Sequence, residues 1–441
     1  MIGNFNDLFR IPEIRKRLLI TFGFLLVYRI GWNIPMPGID LGALAAAKSS
    51  DAGGQFAAIF GLISGGGLYS CALFSLGIMP YISSSIIFSL LVKVMPSLEA
   101  ISKEGASGQR KINQWTRWAT VPLAAFQAIL LVTNVYQREG AVVPGQLLES
   151  GFFIGLGAVV VLTAGAIFLM WIGEQITEYG VGNGISLLIM AGIVARLPQA
   201  ITTMMKNEEG GFLPFTLFVL FVVIVVVVVY ITKGTRKITV QYAKLMRGRR
   251  MYGGQRHFLP IRVNQAGVMP VIFASALLSF PSLLGSALGS ETLTNAFMPG
   301  SWTYTVLTIA LIYFFTYFWT SLMFNPAEMS KNMKESGSFV PGIRPGKRTA
   351  EFLDKIMTRI TLAGATFLAV IAIVPQWMAM LISPNTPAEI AYFLSGTSIL
   401  IVVSVALDLV EKLNSALLER SYGGFLSGGG SGQGKKKGKR Q

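Results

Sequence analysis

The chain is short of charge, and shortest of acid. Only 13% of its 441 residues are charged, against about 25% in a soluble domain, and 21 acids stand against 37 Lys and Arg. So thin a polar supply cannot clothe a water-soluble protein of this length. One cysteine, Cys71, excludes an intrachain disulfide and any cysteine metal cluster. One histidine, His257, excludes a histidine metal site. No His-Glu-x-x-His, G-x-S-x-G or Walker A run occurs, so no metal, no cofactor and no enzyme activity are expected. The apolar stretches also lack a clear ionisable residue at mid-depth: Glu174, Glu178, Asp408 and Glu411 fall near their ends. Ion-coupled carriers keep such a group near the midplane. That absence counts against a small-solute transporter, the main competing reading, and an intramembrane hydrolase lacks its nucleophile and base.

What is present is apolar. Hydrophobic residues make up 52% of the chain and the mean hydropathy is +0.58. Ten stretches of spanning length lie near 18–34, 75–92, 115–135, 152–173, 184–204, 212–232, 267–289, 303–324, 360–382 and 392–411. The valine-rich run Val222–Tyr230 would suit a strand in water, but its length with Phe212–Phe221 argues for a membrane helix. No cleavage pattern follows the first stretch, which runs into Pro35-Met36-Pro37-Gly38.

Charge tests this layout independently. With the N-terminus in the cytoplasm, 32 of the 37 Lys and Arg fall on the inner side. The other five are Arg29, Lys48, Arg138, Arg196 and Lys206. That bias is what the positive-inside rule expects of ten spans with both ends inside. Ten spans divide into five plus five, and an odd number per half would invert one half relative to the other.

One apolar stretch is too long for a single crossing. The 41 residues from Ala52 to Val92 carry no charge. As a straight helix they would reach about 60 Å, twice the ~30 Å hydrocarbon core. Ser64-Gly65-Gly66-Gly67 and Pro80 break the run. Its first part, about Phe56–Phe74, is expected to enter the membrane as a short helix and stop there. Backbone ends at such depth only where protein buries it or water lines it, so an aqueous cavity is implied. The competing reading is an amphipathic helix on the outer surface.

Two inner loops stand out. Residues 233–264 carry nine basic residues and no acid, and Thr235–Tyr242 alternates as a strand of a hairpin with its turn near Gly248 or Gly253-Gly254. Arg249 and Arg250 cluster at the expected tip. Residues 325–359 hold Pro341-Gly342-Ile343-Arg344-Pro345-Gly346, where two prolines stiffen the segment and push Arg344 outward.

Five runs now stand in a telling order: Gly77–Ser83, Trp171–Thr177, Gly180–Ser186, Ala266–Pro270 and Phe339–Gly346, with Asn325-Pro326 ahead of the last and Thr358-Arg359 behind it. Over residues 10–420 the chain resembles the SecY/Sec61 alpha family, pore subunits of protein-translocation channels. The resemblance implies an all-α polytopic membrane protein: ten transmembrane helices in two inverted five-helix halves around a central pore with a re-entrant plug helix. The halves would be 1–204 and 205–420, followed by a disordered basic tail, 421–441.

The resemblance also implies sites. The pore ring falls on Ile78, Ile82, Ile185, Ile189, Ile272 and Ile401. The pairs 78/82 and 185/189 are i, i+4 and share a helix face. On residues alone, isoleucines in a span face lipid or a neighbouring helix. The plug, about 63–74, includes Ser64, Gly65, Gly66, Gly67, Leu68 and Phe74. A lateral gate, spans two and three against seven and eight, would use Ser83, Ser89, Asn264, Gln265 and Phe280, although small polar residues also serve ordinary helix packing. Ser89 stands where the family usually has glutamine, so a polar contact there is weaker or made by another residue. Arg249, Arg250 and Arg344 would dock SecA or the ribosome, whose RNA attracts an acid-free basic tip. Topology or attraction to anionic lipids also accounts for basic loops. Implied partners are SecE-like and SecG-like membrane subunits, the SecA motor ATPase, the ribosome, signal sequences, nascent chains and anionic lipids. The implied location is a bacterial cytoplasmic membrane.

Overall fold

The computed structural model describes residues 11–36, 72–133, 151–198, 201–202, 213–242, 245–247, 250–252, 256–287, 292, 296–297, 301–382 and 396–428. In chain order the first helices are α1 Pro12–Gly31, α2 Met79–Val94, α3 Pro96–Lys103, α4 Ala106–Leu131, α5 Gly151–Tyr179, α6 Gly184–Val194 and α7 Leu213–Thr232. Strands β1 Thr235–Tyr242, β2 Leu245–Arg247, β3 Arg250–Tyr252 and β4 Arg256–Arg262 follow. Then come α8 Met269–Ala287, α9 Trp302–Met323, α10 Pro326–Glu335, β5 Ser338–Phe339, α11 Lys347–Ile382 and α12 Gly396–Gly428. Each of the ten apolar stretches contains a helix; only α3 and α10 lie outside them. The valine run is helical, as expected, because a helix satisfies its own backbone and a lone strand in hydrocarbon cannot.

Among the described residues, three helical stretches are long and apolar enough to cross a bilayer by length and composition: Gly155–Tyr179, Trp302–Glu335 and Lys347–Pro375. The pair α2 and α3 passes as a fourth but bends by 99°. Pro96 causes the bend by pushing Met95 out of the helical region, to φ −100 and ψ 113.

Helix packing divides the chain into two groups. In the first, α1 lies on α5 and α6, α2 on α4 and α5, α4 on α5, and α5 on α6. In the second, α7 lies on α11 and α12, α8 on α9, α9 on α11, and α11 on α12. Every pairing in the second group has its counterpart in the first, five apolar stretches earlier. The main packing between the groups is α2 on α8 and α6 on α12.

The two basic loops fold as one module. Strands β1 and β4 pair antiparallel from Thr235 with Arg262 to Gln241 with Arg256, and β5 joins the other edge of β1. Between them β2 and β3 pair antiparallel, from Leu245 with Tyr252 to Arg247 with Arg250. Ile238, Ile261 and Val340 pack on Leu353, Ile356 and Ile360 at the start of α11, giving the module its own apolar core.

Boundaries differ from expectation at two places. Helix α4 starts at Ala106 rather than near 115, because its polar first turns still bury Ile112 and Thr116. Helix α12 runs on to Gly428, so residues 421–428 continue the helix where a disordered tail was expected.

Candidate functional site

The six isoleucines gather in one apolar cluster that crosses both helix groups. Ile78, Ile82, Ile272 and Ile401 are buried, and Ile185 and Ile189 pack against them half-buried. Each of the four helices carries an isoleucine of the cluster at or near its start. Ile78 caps α2, Ile185 lies in the first turn of α6, Ile272 in that of α8, and Ile401 in the second turn of α12. Helix α6 has 11 residues, so it rises about 16 Å, and α2 has 16, about 24 Å; neither alone crosses a ~30 Å core.

Local chemistry sets these starts. At α6 the turn residue Gly182 has φ +89, which favours glycine. The Asn183 side chain then accepts from the N–H of Ile185 at 3.1 Å and of Ser186 at 3.4 Å, an N-cap. Thr177 of α5 accepts the Gly184 N–H at 2.8 Å. A Cβ on Gly184 would overlap the Gly173 carbonyl, so α5 and α6 touch backbone to backbone. Ile185 also packs on Gly173. At α2 and α8, Gly77 with φ +60 and Gly267 with φ +63 turn the chain, and Pro80 and Pro270 sit in the first helical turn, where no helical N–H is lost.

Phe74 does not end a helix. Ala72 bridges to Pro35, and Leu73 N–H donates to the Ile34 carbonyl at 3.0 Å. Ser75 Oγ accepts the Ala72 N–H at 2.8 Å, an alternative to helical bonding, and residues 73–78 form turns. The Phe74 ring stacks between Tyr28 of α1 at 6.3 Å and Phe168 of α5 at 6.0 Å, over Gly31, where a Cβ would strike it. The rest of the expected plug, with Ser64, Gly65, Gly66, Gly67 and Leu68, lies outside the described residues.

The expected gate is only partly assembled. Helices α2 and α8 pack together. Ser84 donates to the Thr116 carbonyl of α4 at 2.8 Å. Ser83, one residue earlier and about 100° round the helix, is buried and its Oγ has no partner among the described residues. Ser89 donates to its own helix at Ser85, 2.7 Å away, not across the gate. Asn264 Nδ2 donates to the Gly267 carbonyl at 3.1 Å and its backbone lies against Gly364 of α11, so it holds the turn before α8. Its Oδ1 is buried without a partner among the described residues. Gln265 is half-buried, and the Phe280 side chain lies outside the described residues. Gln127, buried in α4 with an unpartnered Oε1, went unnoticed in the sequence. A lone amide between Phe126 and Ala128 was the available signal.

Two ion pairs join separate elements. Arg117 of α4 meets Glu174 of α5 at 2.6 Å, and Arg262 of β4 meets Glu411 of α12 at 2.7 Å. Arg344 is exposed on a stiff loop. Its carbonyl accepts from Thr349 Oγ1 at 2.9 Å, Ser330 Oγ donates to the Gly346 carbonyl at 2.7 Å, and Ile343 packs into the module's core. The Arg344 side chain has no carboxylate partner among the described residues. Arg249 lies outside them, and of Arg250 only the backbone, in β3, is described.

The SecY family model matches residues 72–410. The protein translocase subunit SecY of Escherichia coli strain K12 is 43% identical over 421 residues, 93% of each chain. The subunit of the same name from Corynebacterium glutamicum is 42% identical over 435 residues, 95% of this chain and 98% of that one. In fold, the chain is similar to a solved protein conducting channel, with a TM-score of 0.61 and 19% identity over 94% of this chain and 97% of the other. It is also similar to Sec61 in a canine ribosome-channel complex, with a TM-score of 0.59 and 18% identity over the same shares.

Proposed function

The chain belongs to the SecY family and is the channel subunit of a Sec translocon, and from that premise we propose how it works. Unfolded secretory polypeptides pass between the two helix groups, and transmembrane segments leave sideways where α2 meets α8. The observation that carries this reading is the isoleucine cluster: four helices, two from each group, start beside one apolar constriction. Branched apolar side chains exclude water and ions by dewetting and yield around a passing chain. The six isoleucines are therefore the pore ring, and the short helices flank two funnels. The chain is a ten-span membrane protein of the bacterial cytoplasmic membrane, both ends inside.

The plug is the segment at about 63–74, and the aromatic stack of Tyr28, Phe74 and Phe168 anchors its C-terminal end. Ser83 and Gln127 are the buried polar groups best placed to bias the gate, in place of Ser89. The β-sheet module presents Arg249, Arg250 and Arg344 to SecA or the ribosome, and SecE-like and SecG-like subunits complete the complex. Energy comes from SecA or translation, not from this chain.

Reconstitution tests the proposal. Proteoliposomes holding this chain with its SecE-like and SecG-like subunits are given SecA, ATP and a secretory precursor. Protease-protected precursor inside the vesicles is expected. Absence of protection, with uptake of a small solute instead, would favour the carrier reading.

A further inference from the structure

Helix α5 carries a buried glycine in its interior, between Ile172 and Glu174. An interior glycine weakens a helix relative to alanine, so Gly173 needs a reason. Its neighbours across the seam supply one. A Cβ on Gly173 would stand 3.2 Å from Ile185 Cγ1 and 3.4 Å from Leu188 Cδ1, inside the usual carbon–carbon contact of about 3.5–4.0 Å. Gly157, earlier on the same helix, meets nothing within 4 Å. The close approach is therefore particular to position 173.

Ile185 has little freedom to give way. The first turn of α6 is pinned to α5, because Thr177 Oγ1 accepts the Gly184 N–H and Gly184 lies against the Gly173 carbonyl. Asn183 fixes the Ile185 N–H as well. A β-branched side chain in a helix keeps essentially one χ1 rotamer. Leu188, 2% exposed, blocks retreat along α6. The remaining side of Ile185 is the half-buried one, which meets the isoleucine cluster. A side chain at 173 would thus drive Ile185 away from α5 and into the gap between the helix groups.

We propose that Gly173 sets the bore of the constriction. With only hydrogen at that position, Ile185 lies back against α5 and leaves the opening wider for a passing chain. Gly173 is a positioning residue that acts through Ile185 and touches no substrate itself. This rests on the reading of the six isoleucines as a pore ring, and it assigns a determinant to how far one of them projects.

The test uses the full complex in proteoliposomes with SecA and ATP. One secretory precursor is supplied in two forms, linear and closed into a loop by a disulfide. The readout is the looped-to-linear ratio of import rates. Gly173→Val extends one bond, about 1.5 Å, beyond the Cβ. It should lower the ratio about fivefold or more, the low end for overpacking a close-packed site. Gly173→Ala should lower it less, and Gly157→Ala should leave it alone. Adding Ile185→Val removes the leading methyl group and should restore the ratio in either Gly173 background. Equal slowing of both precursor forms would make Gly173 a packing residue and overturn the proposal. So would an unchanged ratio in both Gly173 variants, a lowered ratio in Gly157→Ala, or no rescue by Ile185→Val. Should Gly173→Val fail to assemble, Gly173→Ala with and without Ile185→Val decides. Ile185→Ala alone separates the proposal from its premise. It should raise the ratio; no change there would refute the ring reading, whereas a rise there with no effect of the Gly173 variants would refute only the role of Gly173.

Discussion

Removing one hydroxyl should make the channel harder to open. Ser83 is 3% exposed on α2, the helix that packs on α8, and its buried Oγ has no partner among the described residues. A buried polar atom left unpaired costs about 1–3 kcal/mol. If α2 parts from α8 on opening, water reaches that oxygen, so the penalty burdens the closed state alone. Ser83→Ala removes it and leaves almost no cavity. The closed state should gain about 1–3 kcal/mol, lowering the open-to-closed ratio by roughly 5- to 150-fold. Export of a reporter with a weakly hydrophobic signal sequence would read this directly, and a strong signal should be affected far less. The neighbouring Ser84→Ala should behave differently: it loses a bond to the Thr116 carbonyl and weakens α2 against α4 by about 0.5–1.5 kcal/mol. Unchanged or improved export of the weak-signal reporter in Ser83→Ala would refute the reasoning.

Three further outcomes are expected. Gly184→Ala puts a methyl group onto the Gly173 carbonyl, which is backbone and cannot step aside; thermal unfolding of the purified complex should show a loss of about 1–3 kcal/mol, and none would mean that α5 and α6 are not in that contact. Ile82→Ser with Ile272→Ser should wet the constriction and raise ion conductance across planar bilayers, while wild-type conductance would reject both as ring residues. Arg344→Glu should abolish SecA-driven export yet leave assembly intact, since the side chain is exposed; normal export kinetics would remove it from the docking surface.

Hydropathy placed the helices because hydrocarbon leaves the backbone few other choices. It was blind to the first turns of α4, where polar residues surround the buried Ile112 and Thr116. It also overlooked the shortness of α6, since apolar residues continue to Ile201 whether or not one helix does. Alternation revealed β1, and the glycines revealed its hairpin, but β5 has two residues and too little pattern to read. The motif register brought six isoleucines to one cluster, a long-range outcome that no local period encodes. Polar gate residues were harder. Whether a serine bonds across helices or to its own helix depends on rotamer and neighbour, so Ser89 turned inward on Ser85 and Gln127 passed unseen.

The most direct measurement traps a secretory chain halfway through the reconstituted complex, with a photoreactive residue at the stalled position. Adducts should form with segments holding Ile82 and Ile185 in one helix group and Ile272 and Ile401 in the other. Adducts confined to outward-facing positions such as Val160 and Phe218, with none in the cluster, would contradict passage between the two groups.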